Sequence, residues 1–318
     1  MKQKPIGGYF GLELDEKSEY HNAGVALNSA SNALRASLLA NDFTKIYLPH
    51  YTCQAIIDVV KDVGLDYSFY EVNAHFEPAT LPEIGLSEVF FYTNYWGLKK
   101  SCACKVAKIY DNAIIDNAQA FYSSHCENAI SIYSCRKFFG VPDGGYIYDE
   151  AIDATRYPRD VSYDCADHLL KRVDSGPEKG YESYQANEQR VAQKPIARMS
   201  RLTRKIMRSI RYSKVAERRR SNFMYIDEQL QHKNELTNLS TAAVPLAYPL
   251  ATEKGEKIRS ELISRRVYVP QYWPSVLDRC EPSSTAHWLA RHVIPLPIDQ
   301  RYSTQDMDRV LRIVNEYA

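Results

Sequence analysis

The feature that most constrains the fold is the alternation, over roughly the first 150 residues, of short β-type apolar runs with helical patterns. Lys45-Ile-Tyr-Leu48 reads as a strand, Cys53 to Val63 as an amphipathic helix, and Tyr67 to Val72 and Glu88 to Tyr92 as further strands. Ala113-Ile-Ile-Asp116, Ile130 to Tyr133 and Tyr146-Ile-Tyr148 continue the series. Strands separated by helices imply βαβ crossovers, hence an α/β fold with a largely parallel sheet. Open sheets of this kind collect ligands at the carboxyl ends of their strands, so residues at those ends are the first candidates for function.

Beyond about Glu150 the text turns polar, tyrosine-rich and helix-like, with an expected loop around Asp174-Ser-Gly-Pro-Glu-Lys-Gly180, and this is the expected boundary region. A basic stretch follows from Arg198 to Arg220, in which Met199, Leu202, Ile206 and Ile210 fall at helical spacing. From Thr241 onward, Ala243-Val-Pro-Leu246 and Arg266-Val-Tyr-Val-Pro270 read as strands flanking a helical run from Glu253 to Ser264. A closing helix is expected over Thr304 to Tyr317, after Leu296-Pro-Ile-Asp-Gln300. A chain of 318 residues exceeds the roughly 250–300 residues at which single cores stop growing. The expected division is a large domain over 1–195 and a small C-terminal α+β domain over 196–318, joined by the basic helix.

A net charge of +1, with 25% charged and 45% apolar residues, is the profile of an ordinary soluble protein. It demands neither a nucleic-acid nor a membrane partner. The basic stretch is opposed by acids elsewhere and accompanied by no nucleic-acid-binding motif, so a solvated or subunit-facing helix is the plain reading. A further reading has some of its arginines meet the phosphates of an anionic substrate. The N-terminus lacks the apolar core of a signal peptide, and no run approaches the roughly 18 apolar residues of a membrane span, which predicts a cytoplasmic protein. Seven scattered cysteines form no disulfide framework. Cys102 and Cys104, lacking a second Cys or His pair nearby, read as two buried or loop thiols, and no metal site is expected.

Three positions answer the demands of pyridoxal phosphate: a lysine for covalent attachment, an acid for the pyridine nitrogen and donors for a phosphate dianion. Lys137 stands between two strands, just before Asp143-Gly-Gly145, flanked by Phe138 and Phe139, which would desolvate its amine. Asp116 ends an apolar strand, and Gln119 lies three residues on. Asn28-Ser-Ala-Ser31-Asn32 opens a helix with capping residues, whose free backbone donors suit phosphate, and Ser134 adds a hydroxyl. Taken singly, each has a bland alternative: a surface lysine, a helix-capping Asp, an ordinary N-cap. Their joint occurrence, in order, carries the weight.

These blocks resemble the DegT/StrS-type sugar aminotransferases, pyridoxal-phosphate enzymes of the aspartate-aminotransferase-like fold type I. Ser29-Ala-Ser-Asn-Ala-Leu34 is similar to the family's phosphate-binding helix start, Ile114-Ile-Asp-Asn-Ala-Gln119 to its Asp-x-Ala-Gln, and Lys137 through Gly145 to its lysine followed by acid-Gly-Gly. Weaker echoes are Leu48-Pro-His-Tyr-Thr52, Tyr95-Trp-Gly97 and Arg218-Arg-Arg-Ser-Asn-Phe-Met-Tyr225. The resemblance implies Lys137 as the Schiff-base and proton-shuttling lysine, Asp116 as pyridine partner, Gln119 as ring-hydroxyl contact, and Ser31 and Asn32 on the phosphate. The family's serine five residues before the lysine is Ile132 here, so Ser134 takes its place. Its cofactor-stacking aromatic aligns with Cys53, so Tyr51 or Tyr95 is expected to substitute. The family's loop with an asparagine that reaches across the dimer has no counterpart between Glu150 and Arg198.

The implied activity is transamination of a nucleotide-linked keto-sugar with glutamate as amino donor, by a homodimer, in surface-polysaccharide or amino-sugar biosynthesis. Two alternatives stand beside it: an elimination or replacement on the same cofactor, and a catalytically silent relative that binds a ligand or partner.

Overall fold

A computed structural model describes residues 6–237, 239 and 243–317. The first five residues of the N-terminus, and Thr241 at the expected start of the C-terminal part, lie outside the described residues.

The elements run β1 (Val25–Leu27), α1 (Ala30–Ala40), β2 (Lys45–Pro49), α2 (Gln54–Asp62), β3 (Asp66–Tyr70), β4 (Glu88–Thr93), α3 (Lys100–Ile109), β5 (Ala113–Asp116), β6 (Ile130–Ser134) and β7 (Gly145–Tyr148). These seven strands form one sheet in the order β1-β7-β6-β5-β4-β2-β3. The run β3-β2-β4-β5-β6 is parallel, and β7 alone is antiparallel to both its neighbours, β6 and β1. The α/β expectation with a mostly parallel sheet therefore holds.

Both faces of the sheet are covered, which is why the central strands β4, β5 and β6 are buried nearly throughout rather than at alternate residues. In β4, Val89 and Phe91 face the layer of α1 and α2, packed with Leu34, Leu48, Ile57 and Ile114. Phe90 and Tyr92 face the opposite layer, with Val106 of α3 and Ile115 of β5.

The second half continues as α4 (Asp167–Ser175), α5 (Pro177–Gln193), α6 (Arg201–Ser209), α7 (Tyr212–Leu230), β8 (Tyr248–Ala251), α8 (Gly255–Ser264), α9 (Pro274–Arg279), α10 (Thr285–His292), β9 (Val293–Leu296) and α11 (Thr304–Tyr317). β8 and β9 form a separate antiparallel pair, buried with α7, α8, α10 and α11.

Four expectations are corrected here. The loop placed at 174–180 is a sharp α4–α5 turn at Gly176, whose φ of 87° suits glycine, and Pro177 starts α5 at once because its missing N–H has no partner to lose there. Ala243–Leu246 is not a strand; Pro245 offers no donor, and Leu246 N–H donates instead to Trp96 O at 2.8 Å. Arg266–Pro270 is likewise outside any ladder, although Val267 and Val269 are buried. The basic stretch divides into α6 and α7 with a break at Ile210 and Arg211.

The lysine segment is a hairpin loop between β6 and β7, closed by the pairing of Ser134 with Gly145. A turn follows at once, with Phe138 N–H and Phe139 N–H both donating to Cys135 O. Two anchors hold the loop. Asp143, fully buried, accepts from Ser200 N at 2.9 Å, from Ser200 Oγ at 2.8 Å and from Thr203 Oγ1, tying the loop to the start of α6. Arg219 of α7 lays its guanidinium over the Phe138 ring at 4.5 Å and donates to Gln300 Oε1, while Gln300 Nε2 donates to Phe138 O at 2.7 Å. Burial pushes the Arg219 guanidinium down to about 10. The acid of Asp-Gly-Gly and the second arginine of the Arg-Arg-Arg run are thus supports for the lysine loop.

Candidate active site

Several chain segments converge on a cavity of about 190 Å³ at the carboxyl edge of the parallel strands. Asp116 ends β5, Ser134 ends β6, Cys53 caps α2 after β2, and Ser29, Ala30 and Ser31 open α1 after β1; all line it, with Ala118, Arg136, Lys137 and Gly144. The last turns of α5 cover it through Glu188, Val191 and Ala192, and Glu188 pairs with Arg136. Burial pulls the Arg136 guanidinium down.

The α1 start is built as an anion cradle. Ser29 Oγ accepts from Asn32 N at 3.0 Å, so the cap is satisfied, while the N–H groups of Ala30 and Ser31 have no protein acceptor among the described residues. Such first-turn donors, with the helix dipole behind them, favour a phosphate. Gly145 makes the approach possible: a Cβ there would stand 2.6 Å from Ala30 N and 2.7 Å from Ser29 C.

Asp116 accepts from Ala118 N through Oδ1 at 2.8 Å, and no described donor reaches Oδ2. Burial raises its carboxyl above the usual range, and the Lys137 ammonium partly reverses that. The ammonium makes no hydrogen bond or ion pair among the described residues, so its charge is answered across the cavity by Asp116. Cys53 is pushed up by burial, with Lys137 opposing, so its thiol stays neutral.

Of the residues expected from sequence, the structure brings together Lys137, Asp116, Ser31, Ser134 and Cys53. It does not bring Asn32, whose Nδ2 donates to Asn28 Oδ1 and to the carbonyls of Lys194 and Pro195. Tyr51 is also elsewhere, fully buried against Tyr95, Phe76 and Trp273, and Tyr95 donates to its carbonyl. Neither tyrosine stacks over the cavity. Gln119 does not line the cavity either: it spends Oε1 on Trp96 N at 2.7 Å, and its buried Nε2 has no acceptor among the described residues. Sequence reasoning missed Arg136 and Glu188.

No family model matches the chain, and no curated protein is similar to it in sequence. Solved structures are similar in shape. An aminotransferase from Brucella abortus described as DegT DnrJ EryC1 StrS is 16% identical with TM-score 0.59, covering 92% of this chain and 85% of that one. The fold is that of the sugar aminotransferases. A putative sugar aminotransferase from Streptococcus pneumoniae in its PMP form is 15% identical with TM-score 0.62, covering 92% and 87%. DesI, solved in the presence of its TDP-sugar product, is 17% identical with TM-score 0.64, covering 92% and 80%. These likenesses establish fold type I for this chain.

Proposed function

We propose that this protein is a pyridoxal-phosphate-dependent aminotransferase acting on a nucleotide-linked keto-sugar, with glutamate as amino donor. The observation that carries the reading is the convergence of Lys137, Asp116 and the α1 cradle on one cavity at the strand ends. The donor set fits the cofactor: among the described residues, an amine free of partners and a carboxylate with one oxygen unclaimed, with the hydroxyls of Ser31 and Ser134 and the first N–H groups of α1 on the same cavity. The sugar substrate is supported by the neighbours, one of which is described with a TDP-sugar product.

When bound, pyridoxal phosphate supplies an electron sink for a carbanion formed next to an amine nitrogen. The residues divide the remaining work. Ser31, Ser134 and the Ala30 and Ser31 N–H groups would hold the phosphate, and Asp116 would keep the pyridine nitrogen protonated. Lys137 would provide the covalent anchor and then, released from it, accept a proton from the donor's α-carbon and deliver it to C4′, the cofactor carbon on the other side of the amine nitrogen, as general base and acid. Cys53, small and neutral, stands where an aromatic side chain would be expected, and α5 with the Arg136–Glu188 pair shields the cavity from water.

We further propose a homodimer working in the cytoplasm, in surface-polysaccharide or amino-sugar biosynthesis, with 1–195 and 196–318 as its large and small domains. The test is to add pyridoxal phosphate, reduce with borohydride and map the labelled peptide. Label at Lys137, absent from Lys137→Ala, supports the assignment; a protein that takes up no cofactor refutes it. Conversion of bound cofactor to its amine form by glutamate would then separate transamination from elimination or replacement.

A further inference from the structure

Helix α3 carries Cys102 and Cys104 on different faces, since two residues turn a helix by about 200°. Cys102 is buried towards Tyr92. Cys104 is partly exposed and turns to the segment between β5 and β6, where its Sγ lies 2.6 Å from Sγ of Cys126. Lys100, one turn earlier on α3, donates to Ser124 O and brings its Nζ to 3.4 Å from Cys126 Sγ. Both cysteines are present as thiols, and among the described residues no group of three potential ligands exists that would make the pair a metal site. The segment is already tied to the start of α3 by Asn94, which donates to Asn117 Oδ1 and accepts from Lys99 N. A bond between the two sulfurs therefore joins elements that are in register without it.

We propose that Cys104 and Cys126 are a redox modification site that closes to a disulfide by exchange with a low-molecular-weight disulfide such as glutathione disulfide. Cys104, the more accessible thiol, attacks first as thiolate. A Cys104–glutathione bond forms, the S–S bond of the reagent breaks, and one glutathione thiolate leaves. Cys126 then gives its proton to that leaving thiolate and attacks Cys104 Sγ, expelling the second glutathione. The pair loses two electrons and two protons, and the reagent emerges as two thiols. Burial, and then the hydrogen bond shared with Cys104, push the Cys126 thiol up to about 11, with the Lys100 ammonium opposing. The accessibility of Cys104 and the burial of Cys126 make Cys104 the entering nucleophile and Cys126, beside the Lys100 ammonium, the resolving one. In a reducing compartment such a pair stays open until the thiol pool is oxidised, the usual role of disulfides there.

The test treats the folded full-length protein with excess glutathione disulfide, then counts thiols after denaturation and maps peptides without reductant. Loss of two of the seven thiols, a Cys104–Cys126 linked peptide and full reversal by dithiothreitol are expected. Cys126→Ser should stop at a stable glutathione adduct on Cys104, and Cys104→Ala should form no link. Seven surviving thiols in the unaltered protein, a persistent adduct on Cys104, or a link through any other cysteine overturns the proposal, and these readings need no variant to fold.

Discussion

Lowering the pH from about 7.5 to about 5 should remove about 2 kcal/mol of stability through one side chain, His21. Its ring lies among Phe121, Tyr133, Tyr146 and Tyr148, 4.0 Å from the Tyr133 centroid, with Nε2 2.7 Å from Phe121 O and Nδ1 3.1 Å from the Tyr148 hydroxyl. The neutral imidazole satisfies both contacts, donating through Nε2 and accepting from Tyr148. Burial is the main force that lowers its pKa from 6.5 to about 4. Because the folded value is the lower one, the unfolded chain binds the proton first. The associated stability is present above pH 6.5 and is lost as pH falls through the folded value. At about 1.4 kcal/mol per pH unit the full loss is about 3 kcal/mol, of which about 2 is gone by pH 5. The assay is urea unfolding at the two pH values, for the unaltered protein and for His21→Phe. The variant keeps an aromatic ring but loses both hydrogen bonds, so it starts about 1–3 kcal/mol lower and should lack this component of the pH dependence. Equal losses between the two pH values in both proteins would refute the account.

Asp143→Ala should cost about 3 kcal/mol in urea unfolding, because it leaves Ser200 N–H and two hydroxyls without their buried acceptor. Gly145→Ala should cost about 3 kcal/mol or more and lower the thermal midpoint, since the added methyl would stand 2.6 Å from Ala30 N. Asp116→Asn should retain borohydride-trapped label at Lys137 yet slow amine transfer from glutamate by about 10²-fold in stopped-flow absorbance; an unchanged rate would remove Asp116 from the site.

Much of this was legible in the chain because the signals were local. Ala113–Asp116 is a four-residue apolar run with an acid at its end, and it forms β5 over those residues. β1, only Val25–Leu27, is too short to show any period, and it is recognised by its pairing with β7. Ser31 and Asn32 are adjacent on α1, but about 100° of helical turn separates them, so one faces the cavity and the other the carbonyls of Lys194 and Pro195. Tyr51 is claimed by Trp273, more than two hundred residues away, a contact no local pattern reports. Glu188 carries no local signal because its helix falls in the expected boundary region; the Gly176-Pro177 pair, a stop followed by a start, is the available sign of α5.

Gly145 stands in two relationships at once: it pairs with Ser134 across the base of the lysine hairpin, and it passes directly beneath the first peptide of α1. A single backbone position therefore acts as the common datum from which both the covalent anchor and the anion cradle are measured. Motions of α5 or of the C-terminal helices alter what surrounds that pair without altering the interval between its members. The spacing that a rigid cofactor would have to match is thus written into the sheet, where it is best protected from everything the rest of the molecule does.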